Sequence, residues 1–146
     1  MPDSGRQAAR RLAYGLRWLS LLVIIHLLTG CLLIAGDQQS ADRAEDAGNV
    51  SVRFVSAEGT EVRQVLAADA ASSLDVTVFA QVERGQLRIE VLDPQDSVVF
   101  VVEGTPEEQV GRGTVPTDAA GNLRFRIRAT GAQRGGFQLL YQPAGT

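Results

Sequence analysis

A single thiol, Cys31, and a single imidazole, His26, are the residues of this chain best suited to covalent or metal chemistry. A lone thiol forms no internal disulfide. After Cys31 the chain has no His, no Lys and no further Cys. A Ser-His-Asp or Cys-His nucleophile needs a base and an orienting group, so that part excludes both. Zinc sites of the usual His and Cys type are excluded on the same ground. Hydrolysis by paired carboxylates needs two acids in a shared context, and no pair here has one. The part after Cys31 therefore reads as non-enzymatic, and no cofactor is implied. His26 lies in an apolar run with no partner ligand nearby and reads as a tolerated polar residue.

Two charged groupings remain. Asp93 and Asp96 bracket Pro94, with Glu103, Glu107 and Glu108 further on. Such oxygens suit a hard cation. Asp-Pro-x-Asp is also a good type I turn, and that is the simpler reading, with no metal. Arg124, Arg126 and Arg128 recur at period two and so line one face of a strand. They are either an anion or glycan site, or a solvated face paired with acids such as Glu90 or Asp75 on neighbouring strands. All 14 basic residues are Arg, and after Cys31 ten of them face sixteen Asp and Glu, a net charge of −6. That balance argues against nucleic acid as a partner, because displacing counterions from phosphate needs positive charge.

The elements that place Cys31 come first in the chain. Met1 to Trp18 carries Arg6, Arg10, Arg11 and Arg17 against Asp3, and Leu19 to Leu28 is an apolar core. Leu28-Thr29-Gly30-Cys31 follows directly. A basic segment, an apolar core and small residues before a cleavage point form a signal for export. The four residues resemble the lipobox of bacterial lipoproteins. That resemblance implies cleavage before Cys31, residues 1–30 being removed, and lipidation of the Cys31 thiol. At about 0.8 kcal/mol per buried methylene, two or three acyl chains on one residue anchor firmly in membrane lipid. A second reading stays open. Leu32-Leu33-Ile34-Ala35 extends the apolar stretch to 17 residues, close to the ~20 of a spanning helix. An uncleaved signal-anchor helix over about 12–35 would then hold the chain. Both readings keep the Arg-rich end in the cytoplasm and send the rest across, to the outer face of the cytoplasmic membrane or to an outer membrane.

Residues 31–48 are polar and acidic beyond Ala35 and read as a flexible linker. From Asn49 the apolar period becomes two. Val50, Val52 and Phe54 alternate with polar residues, as do Leu74 to Val82, Leu87 to Val91, Leu123 to Ala129, and Phe137 to Tyr141. Val62, Gln64 and Leu66 form a weaker run. Ser97 to Val102 reads as a strand buried on both faces. Turn signals lie at Glu58-Gly59-Thr60, Glu83-Arg84-Gly85, Asp93-Pro94-Gln95-Asp96, Ala120-Gly121-Asn122 and Arg134-Gly135-Gly136. Seven or eight short strands at this spacing predict an all-β antiparallel sandwich, jelly-roll or immunoglobulin-like, over residues 49–142, with 143–146 as a tail.

The segments Gly85 to Pro94, Gly121 to Gly131 and Gly136 to Tyr141 resemble the pre-peptidase C-terminal and GOLD-like jelly-roll modules of bacteria. The shared rhythm is a strand ending in Asp-Pro, then a strand, a glycine turn and a closing strand with an aromatic. This resemblance implies a non-catalytic accessory or binding module. The functional expectation is a membrane-anchored cell-envelope lipoprotein with a binding or structural sandwich and a protein or polymer partner. An accessory subunit of an envelope transport or secretion complex, or an anion- or glycan-binding receptor domain, are the alternatives.

Overall fold

The computed structural model describes residues 31–45 and 47–145. Residues 1–30, and with them Leu28, Thr29 and Gly30, lie outside the described residues. Seven strands follow in order: β1 Leu33–Ala35, β2 Gln38–Ala44, β3 Ala47–Leu66, β4 Ser73–Leu92, β5 Val98–Gly104, β6 Gln109–Pro116 and β7 Asn122–Pro143. All strand pairs are antiparallel, in the order β1-β3-β7-β4-β5, with β2 also on β3 and β6 also on β4. Two expectations are corrected at the outset. Leu33–Ala35 is extended, so a helix over about 12–35 does not include these three residues; residues 12–30 lie outside the described ones. The segment read as a flexible linker forms β1 and β2, which pair with β3. The low apolar content of β2 has a plain cause: it is exposed throughout and has no face to bury.

β3, β4 and β7 are 20, 20 and 22 residues long, and each serves both layers of the sandwich. A mid-strand bulge makes this work. The β3–β7 register shifts between Ala57 and Gly59, and the β4–β7 register between Arg84 and Gln86. An extra residue in one strand increases twist and inverts which side chains face the core. In β4 the alternating apolar residues that are buried are even-numbered from Leu74 to Val82 and odd-numbered at Leu87, Ile89 and Val91, with Glu90 and Leu92 buried beside them on the other face. In β3 they pass from Val50, Val52 and Phe54 to Ala57, and the far half turns Val62 and Leu66 outward. The run Val62, Gln64, Leu66 is therefore the wet face, contrary to expectation.

Three of the five turn signals are thus bends inside long strands. Gly59, Gly85 and the Arg134-Gly135-Gly136 segment lie within β3, β4 and β7. Gly59, Gly85 and Arg134 take positive φ, which suits a bulge as well as a hairpin. Asp93-Pro94-Gln95-Asp96 does join β4 to β5. Asp93 Oδ1 accepts the Gln95 and Ser97 backbone N–H at 2.9 and 2.8 Å. Asp118 likewise accepts the Ala120 and Asn122 N–H, both at 2.9 Å, ahead of β7.

One layer holds β2, β6 and the matching halves of β3, β4 and β7; the other holds β5 and their remaining halves. Their inner faces meet in a core of aliphatic and aromatic residues, among them Val52, Val76, Ile89, Leu123, Phe125 and Leu139. Burial of each such side chain contributes about 1.5–3 kcal/mol. Across the layers Phe125 meets Phe137 edge-to-face, with ring centroids 5.9 Å apart at 67°. On one flank Phe100 of β5 lies over Gly111 and Gly113 of β6, where no other residue leaves room for its ring. β5 itself is corrected from doubly buried to an edge strand: Val102 is buried, while Val98 and Val99 are exposed. Among the described residues it pairs with β4 alone.

Candidate functional site

Cys31 is exposed, unpaired and two residues ahead of β1.

The Arg stripe lies on β7, on the outer face of the layer that carries β5. Alternation puts Leu123, Phe125, Ile127 and Ala129 in the core and Arg124, Arg126 and Arg128 outside. Glu90 of β4 stands directly opposite Arg126 and is only 4% exposed. Arg126 donates to its Oε2 at 2.7 Å and Arg88 to its Oε1 at 2.9 Å, while Arg128 Nε stands 3.3 Å from Oε1. Burial works to raise the Glu90 carboxyl. The hydrogen bonds from Arg126 and Arg88 and the charge of Arg128 outweigh it, and the group titrates below its ordinary value. Arg88 also reaches Glu103 at 2.7 Å, and Arg124 pairs with Asp96 at 2.8 Å. The stripe is thus occupied by the domain's own carboxylates. Asp75, the other acid weighed as a partner, instead accepts a hydrogen bond from Thr114.

An open trough lies on the outer face of the other layer, with a volume of about 280 Å³. Its floor is the backbone of three adjacent strands at Val52, Ala80 and Gly136, whose neighbours Gly135 and Gly136 leave a gap in the side-chain rows. A side chain at Gly136 would run into the Val52 carbonyl, so the gap is enforced by the backbone itself. Around it stand Arg53, Phe79, Gln81, Glu108, Arg134 and Gln138. Gln81 donates to the Pro106 carbonyl at 2.6 Å and Gln138 to Asn49 Oδ1 at 3.1 Å, which holds both amides in place. Arg134 is drawn to Glu83 at 3.4 Å. Among the described residues Arg53 and Glu108 make no ion pair, so one donor and one acceptor of opposite charge face the opening. Phe79 is half-buried and adds an aromatic surface.

Sequence reasoning placed the candidate ligand site on the Arg stripe and missed this trough. Arg53, Phe79 and Gln138 come from strands far apart in the chain. The available signal was the pair Gly135-Gly136 beside outward-pointing polar and aromatic residues. Among the described residues no group of three His, Cys, Asp or Glu is arranged to hold a metal.

No protein-family model matches the chain, and no curated protein matches it. Solved structures similar to it in shape include carbohydrate-binding modules. One is a carbohydrate-binding module from Cellvibrio mixtus lichenase 5A in complex with cellotriose: 15% identity, TM-score 0.39, covering 80% of this chain and 99% of that one. Another is a xylan-binding domain from Paenibacillus barcinonensis, with 7% identity and TM-score 0.40 over 82% of this chain and 88% of that one. A third, TmCBM61 in complex with β-1,4-galactotriose, has 15% identity and TM-score 0.39 over 75% of this chain and 86% of that one. The fold is read from the strand pairing above, not from these scores.

Proposed function

We propose that this protein is a membrane-tethered, non-catalytic binding module whose ligand lies in the trough above Gly136. The trough carries the reading. It is open, preformed by backbone, and lined by fixed amides, one aromatic and balanced charge. It brings together no nucleophile and base, and the chain after Cys31 has no His or Lys to supply one. The tether rests on Leu28-Thr29-Gly30-Cys31 and on an exposed thiol just ahead of the first strand. Cys31→Ser is expected to block lipidation and leave the N-terminal segment uncleaved, read as a longer chain without acyl mass, and mass analysis of the mature wild-type N-terminus is expected to find a diacylglyceryl cysteine at position 31. A mature chain beginning at Met1 would end the lipid-anchor reading.

The ligand class that fits best is a neutral glycan. Side-chain amides and a guanidinium match vicinal hydroxyls as donors and acceptors. Phe79 offers a face to the C–H side of a sugar ring, while Arg53 and Glu108 leave the trough without net charge. An anionic polymer would be repelled by the −6 of the chain after Cys31. The full chain is expected to be retarded in native gels containing soluble xylan, β-glucan or galactan. Phe79→Ala should weaken retention roughly tenfold, the scale of one lost aromatic contact. Thr60→Ala, on the opposite layer, should leave it unchanged. An unretarded wild type in every gel would remove the glycan reading, and equal retardation of Phe79→Ala would remove Phe79 from the contact, while either leaves the tether untouched.

A further inference from the structure

The far half of β3 has a neighbour on one side only. From Gly59 to Leu66 it pairs with β7, while β1 and β2 cover β3 only as far as Glu58. Among the described residues nothing pairs with the other edge of this stretch. Its backbone groups are therefore available to another strand, and Val62 and Leu66 stand 44% and 51% exposed beside them. The same edge borders an opening of about 520 Å³ between the layers, floored by Val50, Val52, Val65 and Phe125. Glu61 and Arg63 line it; within the strand Arg63 donates to Glu61 Oε2 at 2.9 Å, and it also donates to Gln39 across the opening at 3.1 Å.

We infer that this edge pairs with the same edge of a second copy of the chain, antiparallel, about a two-fold axis at Val62. The order Glu61-Val62-Arg63 is self-complementary in that register. Val62 meets the other copy's Val62 on the outer face, and Thr60 meets Gln64. On the inner face each Glu61 stands opposite an Arg63, giving two opposite-charge cross-strand pairs. Charges pointing inward on an edge strand oppose pairing with an arbitrary strand. Here their order admits one partner, the identical sequence reversed, which is how a two-fold interface must match itself. The second strand would also cover the apolar opening. This dimer goes beyond the binding reading and does not depend on it.

The test uses the full chain purified in detergent, followed by light-scattering mass and by disulfide trapping. Residues on the axis of an antiparallel pair are close enough for a disulfide. Val62→Cys is therefore expected to cross-link to a second copy, while Gln64→Cys, off the axis, remains at the background of wild-type Cys31. Glu61→Arg and Arg63→Glu should each fall from dimer to monomer mass, since like charges then stand opposite. Mixing the two variants should recover the dimer mass, because one chain then carries arginine at both positions and the other glutamate at both, so that every cross-strand pair is again of opposite charge. The intrachain contact between Glu61 and Arg63 predicts no such recovery. Monomer mass for wild type with no Val62→Cys cross-link overturns the inference. So does equal trapping at positions 62 and 64, capture of a different protein at Val62→Cys, or a mixture of folded variants that remains monomeric.

Discussion

Glu90→Gln is expected to lose about 3 kcal/mol of folding stability, read as a fall in the urea midpoint, while Glu103→Gln stays within about 0.5 kcal/mol. Both carboxylates contact Arg88, so the contrast comes from burial. The Glu90 side chain is 5% exposed and held by three guanidinium groups; that of Glu103 is 67% exposed. Removing the buried charge leaves Arg126, Arg88 and Arg128 facing one another across adjacent strands. Their side chains are 20%, 43% and 50% exposed and can turn toward water, which keeps the loss at the lower end for a broken buried pair. The same group sets an acid limit. Its folded carboxyl titrates below its unfolded value. The stabilisation is therefore complete above the ordinary carboxylate value of about 4.3 and fades as pH falls through the lower folded value. Glu90→Gln should flatten that part of the acid-unfolding curve, and an unchanged curve would show that other carboxylates govern it.

Gly85→Ala should cost about 3 kcal/mol or more, and Gly131→Ala only about 1–2 kcal/mol. Both glycines lie in the left-handed region, at φ 80° and 54°, so each substitution bears the same conformational penalty. They differ in what the new methyl meets. At Gly85 it runs into the carbonyl of Gly131, a backbone atom rather than the end of a flexible side chain. At Gly131 there is open space. The β4 bulge therefore requires glycine for two reasons and the β7 bend for one. Thermal midpoints of the two variants against wild type check the ranking, and equal losses would mean that close approach at Gly85 is relieved by a small backbone shift.

The alternation from Leu74 to Val82 and from Leu123 to Ala129 was legible because one side of each strand is buried and the other is wet. The Asp93-Pro94 turn was legible because its carboxylate caps its own backbone. What misled was glycine. Gly59 and Gly85 sit where a hairpin turn would, and a bulge asks for the same positive φ, so local chemistry alone does not separate a chain reversal from a bend. Taking the bend as a reversal also assigned Val62 and Leu66 to the core, since the inversion of faces goes unseen. β2 escaped notice because an exposed edge strand has no apolar period to show. The Arg stripe was visible as a period, and pairing with Glu90 was among its expected uses. The convergence of Arg88, Arg126 and Arg128 on that one carboxylate depends on register, as does the trough, whose walls come from β3, β4 and β7.

The bent strands tie the two layers into one thermodynamic unit. A sandwich built from separate sheets has a seam along which one sheet can peel away. Here β3, β4 and β7 run through both, and the register that joins Gly48 to Tyr141 continues along the same two strands to Leu66 and Asn122. Melting either layer alone would pull the other out of alignment, so a single cooperative unfolding transition is expected, with coincident midpoints by different probes. The reverse process must bring segments from opposite ends of the chain together before local contacts can reward it, which places folding in the slow range of β topologies.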